Sequence, residues 1–346
     1  MRRWRDKHLK KVQLGRTSEQ VSEVCLGTMI MGSTIDEPTS FAMLDRFMEL
    51  GGDFLDTANC YAWWIGRGEF VGDESEELLG RWMKARGNRQ QLFVATKVGG
   101  RLRDVASIRD ANGDVYWDRV DGDHERQTAT TIRAAVEDSL RRLQTDHIDL
   151  YYSHLDDRET QLEERLKVLN DLVVAGKVRH LGASNYRAWR LERARSISAA
   201  NGWAAFVAIQ QQSSYLRPKQ GADFGTAVNF DSELADYLLA NPEVALLAYS
   251  PLLKGIYEDE AKRKAYYNWS QFDSDDARSR LTTLTALAAD LHVTNSQLVL
   301  AWLLNREPAT IPMITGSGLA QLEHNLGAVE IALTPEQVAT LDAAGS

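Results

Sequence analysis

Short apolar runs alternate with longer segments of helical periodicity along most of the chain, and no other feature limits the possible folds as strongly. Eight runs are rich in β-branched or aromatic residues, which is typical of strands, and apolar residues recur at spacings of three and four between them. Repeated strand–helix units indicate a parallel sheet, and eight of them predict an α/β fold, a (β/α)8 TIM barrel. The predicted strands are 24–28, 53–56, 92–97, 148–153, 178–183, 206–210, 244–250 and 310–315. The predicted helices are 38–51, 74–85, 130–143, 163–174, 187–199, 231–239, 280–292, 295–305 and 319–326.

The length of the chain is compatible with one large or two small domains. We favour a single domain, residues 1–346, because a barrel with insertions accounts for the whole sequence. Segments 98–127 and 219–230 are rich in Gly, Asp and Arg and poorly periodic, which predicts long loops over the active face. A disordered surface insertion is the alternative for the first of them. Residues 11–22, with a turn at Gly15, fit a hairpin that closes the barrel bottom.

Composition argues for a small-molecule partner. The formal net charge is -9, and no stretch interleaves Lys or Arg with aromatic residues as a nucleic-acid surface does. No window approaches the ~20 apolar residues of a membrane span, and the basic N-terminus lacks the apolar core of a signal peptide. The two cysteines, Cys25 and Cys60, are too few for a disulfide framework or a metal cluster. We therefore expect a cytoplasmic protein that binds neither nucleic acid nor membrane; the oligomeric state stays open.

Polar residues stand where three of the predicted strands end. Asp56, Lys97 and His154 each close an apolar run, and Tyr61 follows Asp56 by five residues. In a (β/α)8 barrel, catalytic groups lie at such strand ends on the C-terminal face. Taken singly, the aspartate fits a helix cap, the lysine a solvated strand end and the histidine a structural residue. Taken together, the four side chains predict a proton-transfer site.

Six short motifs occur in an order that resembles the aldo-keto reductase family. They are GGDFLDTA at 51–58 with Tyr61, ESEELLG at 74–80, Thr96 with Lys97, His154 with Asp157, GASN at 182–185 and YSPL at 249–252. The resemblance extends from about residue 14 to residue 341, nearly the whole chain. It implies an oxidoreductase that reduces an aldehyde or ketone to the alcohol by hydride transfer from NAD(P)H, without a metal.

The resemblance places Asp56, Tyr61, Lys97 and His154 on the family's catalytic tetrad. Tyr61 is then the general acid, and we expect the cation of Lys97 to favour its phenolate form, since a free phenol has a pKa of about 10. Asp56 is expected to keep Lys97 protonated and correctly aimed. His154 is expected to orient the substrate carbonyl and to help relay the proton.

The resemblance also implies a nicotinamide dinucleotide site. Its predicted residues are Gly27, Thr28, Met29, Asp56, Ser184, Asn185, Gln210, Tyr249, Ser250, Pro251, Leu252, Gly255, Gly316, Ser317, Gln321 and Asn325. Ser184, Asn185 and Gln210 match the carboxamide-binding set, although Gln211 and Gln212 leave that register open. Tyr249 is expected to stack on the nicotinamide, with a core aromatic as the alternative. Residues 316–325 are expected to hold the adenosine phosphate at a helix N-terminus.

Cofactor choice and substrate are less determined by sequence. Many family members carry Lys or Arg where this chain has Gly318, so NADP(H) ranks only modestly above NAD(H). An aromatic wall of the substrate pocket is predicted from Trp63, Trp64 and Trp117. Because charged residues lie nearby in the sequence, we favour a sugar or another hydroxylated carbonyl compound as the substrate. Steroids and simple aldehydes stay open as alternatives. Cys60 either senses oxidation or is a buried inert thiol. The alternative function is a redox-sensing regulatory subunit that binds cofactor with little turnover.

Overall fold

The structure is a computed structural model that describes residues 8–345. The strands are β1 Lys11–Gln13, β2 Gln20–Ser22, β3 Cys25–Gly27, β4 Phe54–Asp56, β5 Phe93–Val98, β6 Ile148–Ser153, β7 Val178–Ser184, β8 Phe206–Gln212, β9 Ala245–Tyr249 and β10 Thr310–Ile314. Eight parallel strands close into a barrel in the order β10-β3-β4-β5-β6-β7-β8-β9, and a separate pair, β1 and β2, is antiparallel. The predicted barrel is confirmed, with each boundary within two residues of its expected place.

The helices that cover the barrel include all nine predicted ones. They are α1 Glu37–Glu49, α2 Glu74–Arg86, α3 Trp117–Asp123, α4 Ala129–Leu143, α5 Leu162–Val174, α6 Ala188–Asn201, α7 Ser232–Ala240, α8 Glu260–Ala265, α9 Trp269–Phe272, α10 Asp275–Asp290, α11 Asn295–Asn305, α12 Leu319–Leu326 and α13 Pro335–Ala343. Helix α10 begins five residues earlier than expected because Ser274 caps it, accepting from the backbone amide of Ala277. Among residues 8–345, no helix combines the length and the apolar character that a membrane span needs.

Hairpin β1–β2 lies at the end of the barrel where the strands begin. Leu14 and Val21, from its turn and second strand, are fully buried and join a cluster inside the barrel with Phe54, Phe93 and Leu150. The barrel is therefore packed with side chains at that end, as in other closed eight-stranded barrels. The carboxyl ends of the strands open at the opposite end.

The segment 98–127 contains a helix, α3, and is therefore not the uninterrupted loop that its sequence predicts. Only Val120 of this helix is buried, so the helix has no periodic apolar face that a sequence pattern could reveal. Val120 packs with Trp63, Leu102 and Ile108 in a small cluster separate from the barrel core. The segment 219–230 forms no regular helix or strand, apart from an isolated bridge between Asn229 and Gln212.

Candidate active site

Asp56 and Lys97 form a buried ion pair between neighbouring strands. Strands β4 and β5 are hydrogen-bonded in parallel, which brings the two residues to the same end of the barrel. Both side chains are completely buried, and the ammonium of Lys97 binds Asp56 Oδ1 directly. Burial raises the pKa of Asp56, and the positive charge of Lys97 opposes part of that shift. Each charge therefore needs the other, because a lone charge is costly to bury.

The ammonium group of Lys97 has an acceptor for each of its three protons. Besides Asp56, it donates to the backbone oxygen of Thr57 at 2.7 Å and to the phenolic oxygen of Tyr61 at 2.7 Å. An ammonium has three N–H donors and no acceptor, so its orientation is fixed. The oxygen of Tyr61 accepts a hydrogen bond from Lys97, which leaves the phenol able to donate its own proton.

Tyr61 is held as a phenol, which corrects the expectation that Lys97 would favour the phenolate. Burial and the negative charge of Asp56 raise the pKa of Tyr61 well above its ordinary value. These two effects outweigh the stabilisation of the phenolate that was expected from Lys97. A protonated phenol is the form that a general acid needs.

His154 follows strand β6 and faces Tyr61. The ring centroids of the two residues are 6.0 Å apart in an edge-to-face arrangement. Burial, the charge of Lys97 and the nearby His124 hold the pKa of His154 well below its usual value, so the imidazole is neutral near pH 7. Cys60 Sγ lies 3.6 Å from His154 Nδ1. The structure thus brings together all four side chains that the sequence proposed for proton transfer.

The side-chain amides of the three consecutive glutamines at the end of β8 have different hydrogen-bonding partners. Gln210 Nε2 donates to Asp56 Oδ2 at 2.8 Å, so it supports the ion pair, and its predicted contact with a carboxamide stays a prediction. Gln211, on the opposite face of the strand, donates to the backbone oxygen of Tyr186 at 2.7 Å. Gln212 lies on the same face as Gln210, and its Nε2 is buried without a partner in the described part of the chain. Strand alternation in the sequence could have separated Gln211 from the other two, but it does not distinguish Gln212 from Gln210.

The amide of Asn185 is fully engaged. Its Nδ2 donates to the backbone oxygen of His154 at 3.0 Å and to Ser184 Oγ at 3.2 Å. Its Oδ1 accepts from the hydroxyl of Tyr249 at 2.8 Å and from the backbone amide of Val228 at 3.0 Å. Asn185, which is predicted to bind the carboxamide, therefore contacts Tyr249, which is predicted to stack on the nicotinamide ring. A cofactor that binds the amide of Asn185 would have to replace some of these hydrogen bonds.

The turn after β9 has an unusual backbone. Ser250, Leu253 and Lys254 all adopt positive φ angles of 51°, 45° and 60°, and Gly255 follows at 85°. Non-glycine residues rarely adopt this conformation, and it clusters at functional sites. The predicted residues Pro251 and Leu252 lie within the turn. The exposed Lys254, which the sequence reasoning missed, places its ammonium 4.6 Å from the centre of the Tyr267 ring.

The predicted phosphate segment, residues 316–325, comprises the turn before helix α12 and most of that helix. The backbone amide and the hydroxyl of Ser317 both donate to Gln321 Oε1, at 2.7 and 2.8 Å. A side chain on Gly316 would approach the amide nitrogen of Leu322 to 2.7 Å, whereas Gly318 faces open space. Asn325 Nδ2 donates to the backbone oxygen of Thr315 at 2.8 Å. No Lys or Arg occurs in residues 316–326.

Two further predicted groups lie at the rim and at the end of β3. Trp63 contacts Trp64 and Trp117, with ring centroids 5.7 and 5.9 Å apart, and Trp117 is 64% exposed. Thr28, directly after Gly27, donates through its hydroxyl to the backbone oxygen of Asp56 at 3.0 Å. The neighbouring Met29 is exposed.

These surroundings fit the nicotinamide dinucleotide that the resemblance implies. The buried, unpartnered amide of Gln212 is a donor that lacks an acceptor, which is costly unless a ligand supplies one. Ser184, the last residue of β7, and Asn185, directly after it, lie nearby, and the left-handed turn follows β9. The described part of the chain holds no cluster of three or more His, Cys, Asp or Glu side chains suited to a metal ion.

Comparison with known proteins gives a consistent result. Residues 23–346 match the model of the Aldo/keto reductase family. Norsolorinic acid reductase stcV of Emericella nidulans is 31% identical over 92% of this chain and 77% of its own length. The uncharacterized oxidoreductase YrpG of Bacillus subtilis is 31% identical over 93% of this chain and 92% of its own length. Aryl-alcohol dehydrogenase [NADP(+)] of Phanerodontia chrysosporium is 28% identical, covering 93% of this chain and 82% of the relative.

The family match covers far more than half of the chain, and two relatives exceed 30% identity over nearly all of it. The strand-end motifs that first suggested the resemblance lie inside the matched residues. This protein is therefore an oxidoreductase that belongs to the aldo/keto reductase family.

Proposed function

We propose that this protein reduces an aldehyde or ketone to the alcohol with NADPH, and that Tyr61 donates the proton. The observation that supports this most directly is the environment of Tyr61: a partly buried phenol, kept protonated, whose oxygen accepts a hydrogen bond from a lysine with no other proton to give. Such a phenol can donate to one further acceptor. A substrate carbonyl oxygen between Tyr61 and His154 would be that acceptor.

The roles of the chain's own residues follow from this arrangement. When bound, the reduced nicotinamide supplies the hydride that the carbonyl carbon accepts. As charge develops on the oxygen, Tyr61 transfers its proton to it, while the neutral imidazole of His154 hydrogen-bonds the same oxygen. Lys97 stabilises the phenolate that remains, and Asp56 holds Lys97 in place. Asp56 and Lys97 are completely buried, which strengthens the electrostatic interaction between them.

For the cofactor, we propose Ser184, Asn185, Gln212 and Tyr249 around the nicotinamide and Ser317 near the adenosine ribose. NADPH rather than NADH is supported by the NADP(+) in the name of one relative, although residues 316–326 carry no Lys or Arg. Fluorescence titration with both cofactors tests this preference. An advantage of about tenfold or more for NADH, which is 1.4 kcal/mol, would reverse it.

For the substrate, we propose an aromatic aldehyde or ketone. The cluster of Trp63, Trp64 and Trp117 offers flat apolar surface at the rim of the barrel, and exposure of Trp117 leaves part of it available. Two relatives carry names that refer to norsolorinic acid and to aryl alcohols. A sugar or another hydroxylated carbonyl compound remains the competing class. The cytoplasmic location stays a prediction.

The test is NADPH oxidation followed at 340 nm with aromatic, aliphatic and sugar carbonyl compounds, using Tyr61→Phe as the matched control. We expect rapid turnover of at least one aromatic compound by the wild type. The variant should lose activity by several orders of magnitude yet bind NADPH nearly as well, because it lacks only the proton donor. Binding without turnover on the whole panel would favour the redox-sensing alternative, and preference for sugars would replace the substrate proposal.

A further inference from the structure

The imidazole of His154 has a neighbour outside the predicted tetrad. Cys60 directly precedes Tyr61, is buried, and places Sγ 3.6 Å from His154 Nδ1, within the range of a sulfur hydrogen bond. The backbone of His154 is held separately, since its amide donates to the carbonyl of Val98 and its carbonyl accepts from Asn185. Cys60 is the hydrogen-bonding partner that the described part of the chain gives to the ring itself.

The protonation of both groups limits this hydrogen bond to two directions, from the thiol to Nδ1 or from Nδ1 to the sulfur. Burial raises the pKa of the Cys60 thiol to about 12, so the sulfur keeps its proton near neutral pH. The pKa of His154 is held low, so its ring carries one proton in total. A thiol is a weak donor, and a neutral imidazole has one donor and one acceptor nitrogen. If the thiol donates to Nδ1, the ring proton must reside on Nε2.

Gly100 provides independent support for this contact. A Cβ atom on Gly100 would lie 2.5 Å from His154 Nδ1 and 3.1 Å from Cys60 Sγ. The φ of Gly100 is not positive, so backbone conformation does not require glycine here. Glycine is needed at this position because a side chain would collide with the thiol of Cys60 and the ring of His154. A larger residue would press directly on the thiol–imidazole pair.

We propose that Cys60 is a positioning residue that holds His154 in the tautomer with its proton on Nε2, so that this nitrogen donates to the substrate carbonyl oxygen. The kinetic consequence rests on the proposed function, whereas the tautomer itself does not. The oxidation-sensing interpretation of Cys60 loses support, because oxidation proceeds through the thiolate, which this site disfavours.

The test is long-range ¹H–¹⁵N NMR on the cofactor-free protein labelled with ¹⁵N-histidine, which distinguishes the two neutral tautomers. The chain has seven histidines, and the spectrum of His154→Gln assigns the relevant one. We expect the proton of wild-type His154 on Nε2. In Cys60→Val, which keeps the bulk and removes the donor, we expect a mixture of tautomers. Cys25→Val, at the only other cysteine of the sequence, is the matched control and should leave His154 unchanged.

Kinetics provide the second measurement. Loss of one neutral hydrogen bond corresponds to about a fivefold lower kcat/KM in Cys60→Val, with the Kd for NADPH unchanged and Cys25→Val near wild type. If Cys60→Val does not fold, Gly100→Ala tests the same contact by displacing the ring. A wild-type His154 protonated on Nδ1, or a tautomer that neither variant alters, would overturn the proposal. Absence of turnover in the wild type, with the expected NMR result, would instead count against the proposed function alone.

Discussion

The two sides of the active face are organised differently. On the side of β4, β5 and β6, the polar groups of Asp56, Lys97 and Tyr61 are bound to one another in the arrangement that proton transfer needs. On the side of β7 to β10, the predicted cofactor residues are also bound to one another: Asn185 to Tyr249, and Ser317 to Gln321. The residues of the first side already have the hydrogen bonds that proton transfer needs. The residues of the second side must exchange hydrogen bonds with each other for hydrogen bonds with a ligand.

This difference has an energetic consequence. A hydrogen bond between neutral groups is worth about 1 kcal/mol net, so exchange with an equally good ligand contact costs little. A buried ion pair is different, because removal of one partner leaves the other charge without compensation, at about 3–5 kcal/mol. Substitutions on the tetrad side should therefore affect both activity and stability. Substitutions on the cofactor side should mainly affect cofactor affinity.

The largest expected effect comes from Lys97→Met. Tyr61 loses its cation and Asp56 its partner, so kcat should fall by about 10²- to 10⁴-fold and the free energy of unfolding by about 3 kcal/mol. Steady-state kinetics and urea denaturation measure the two. The double variant Asp56→Asn/Lys97→Met is the control: it should regain much of the stability and none of the activity. Equal stability losses in the single and double variants would contradict the ion-pair interpretation.

The two glutamines on the same face of β8 are expected to serve different sides of the active face. Gln210→Leu removes the hydrogen bond to Asp56, so we expect kcat to fall about fivefold or more, with little change in the Kd for NADPH. Gln212→Leu removes an unpartnered amide, so we expect a Kd raised about fivefold and a nearly unchanged kcat. Both quantities come from cofactor titration and saturation kinetics. The reverse pattern would show that Gln210 is the cofactor residue.

Tyr249→Phe tests whether cofactor binding replaces the hydrogen bond between Tyr249 and Asn185. The variant keeps the ring for stacking and removes the hydroxyl that occupies Asn185, so NADPH should bind about fivefold more tightly. Tyr215→Phe is the matched control, because that hydroxyl donates to the backbone oxygen of Leu341, away from the site. Weaker binding in Tyr249→Phe alone would mean that the hydroxyl contacts the cofactor.

The smallest expected effect is that of pH on the tetrad. The pKa of Tyr61 is raised, so the phenol stays protonated as pH rises, and the pKa of His154 is lowered, so the imidazole stays neutral as pH falls. We therefore expect kcat/KM for carbonyl reduction to be flat between about pH 6.5 and pH 9. A pH profile in one buffer series measures it. An inflection near neutrality that disappears in His154→Gln would show a titrating imidazole.

The sequence was sufficient to predict those site residues that stand at the end of a recognisable apolar run. Asp56, Lys97 and His154 each stand at or next to the end of a strand with its own apolar run, so the barrel and the relative position of these residues could be predicted. Helix α13 was missed although Thr334 and Gln337 form a capping box, a signal present in the sequence. Helix α3 left no such signal, because a single buried residue, Val120, anchors it.

Local periodicity and residue type were sufficient for the barrel, the family and the four groups at the strand ends, because those depend on neighbours along the chain. Only the folded molecule decided the contacts across strands: which glutamine supports Asp56, which hydroxyl occupies Asn185, and which side chain donates to His154. It also reversed the expected pKa shift of Tyr61. Burial and the direction of hydrogen bonds are properties of the three-dimensional surroundings, and no sequence spacing encodes them.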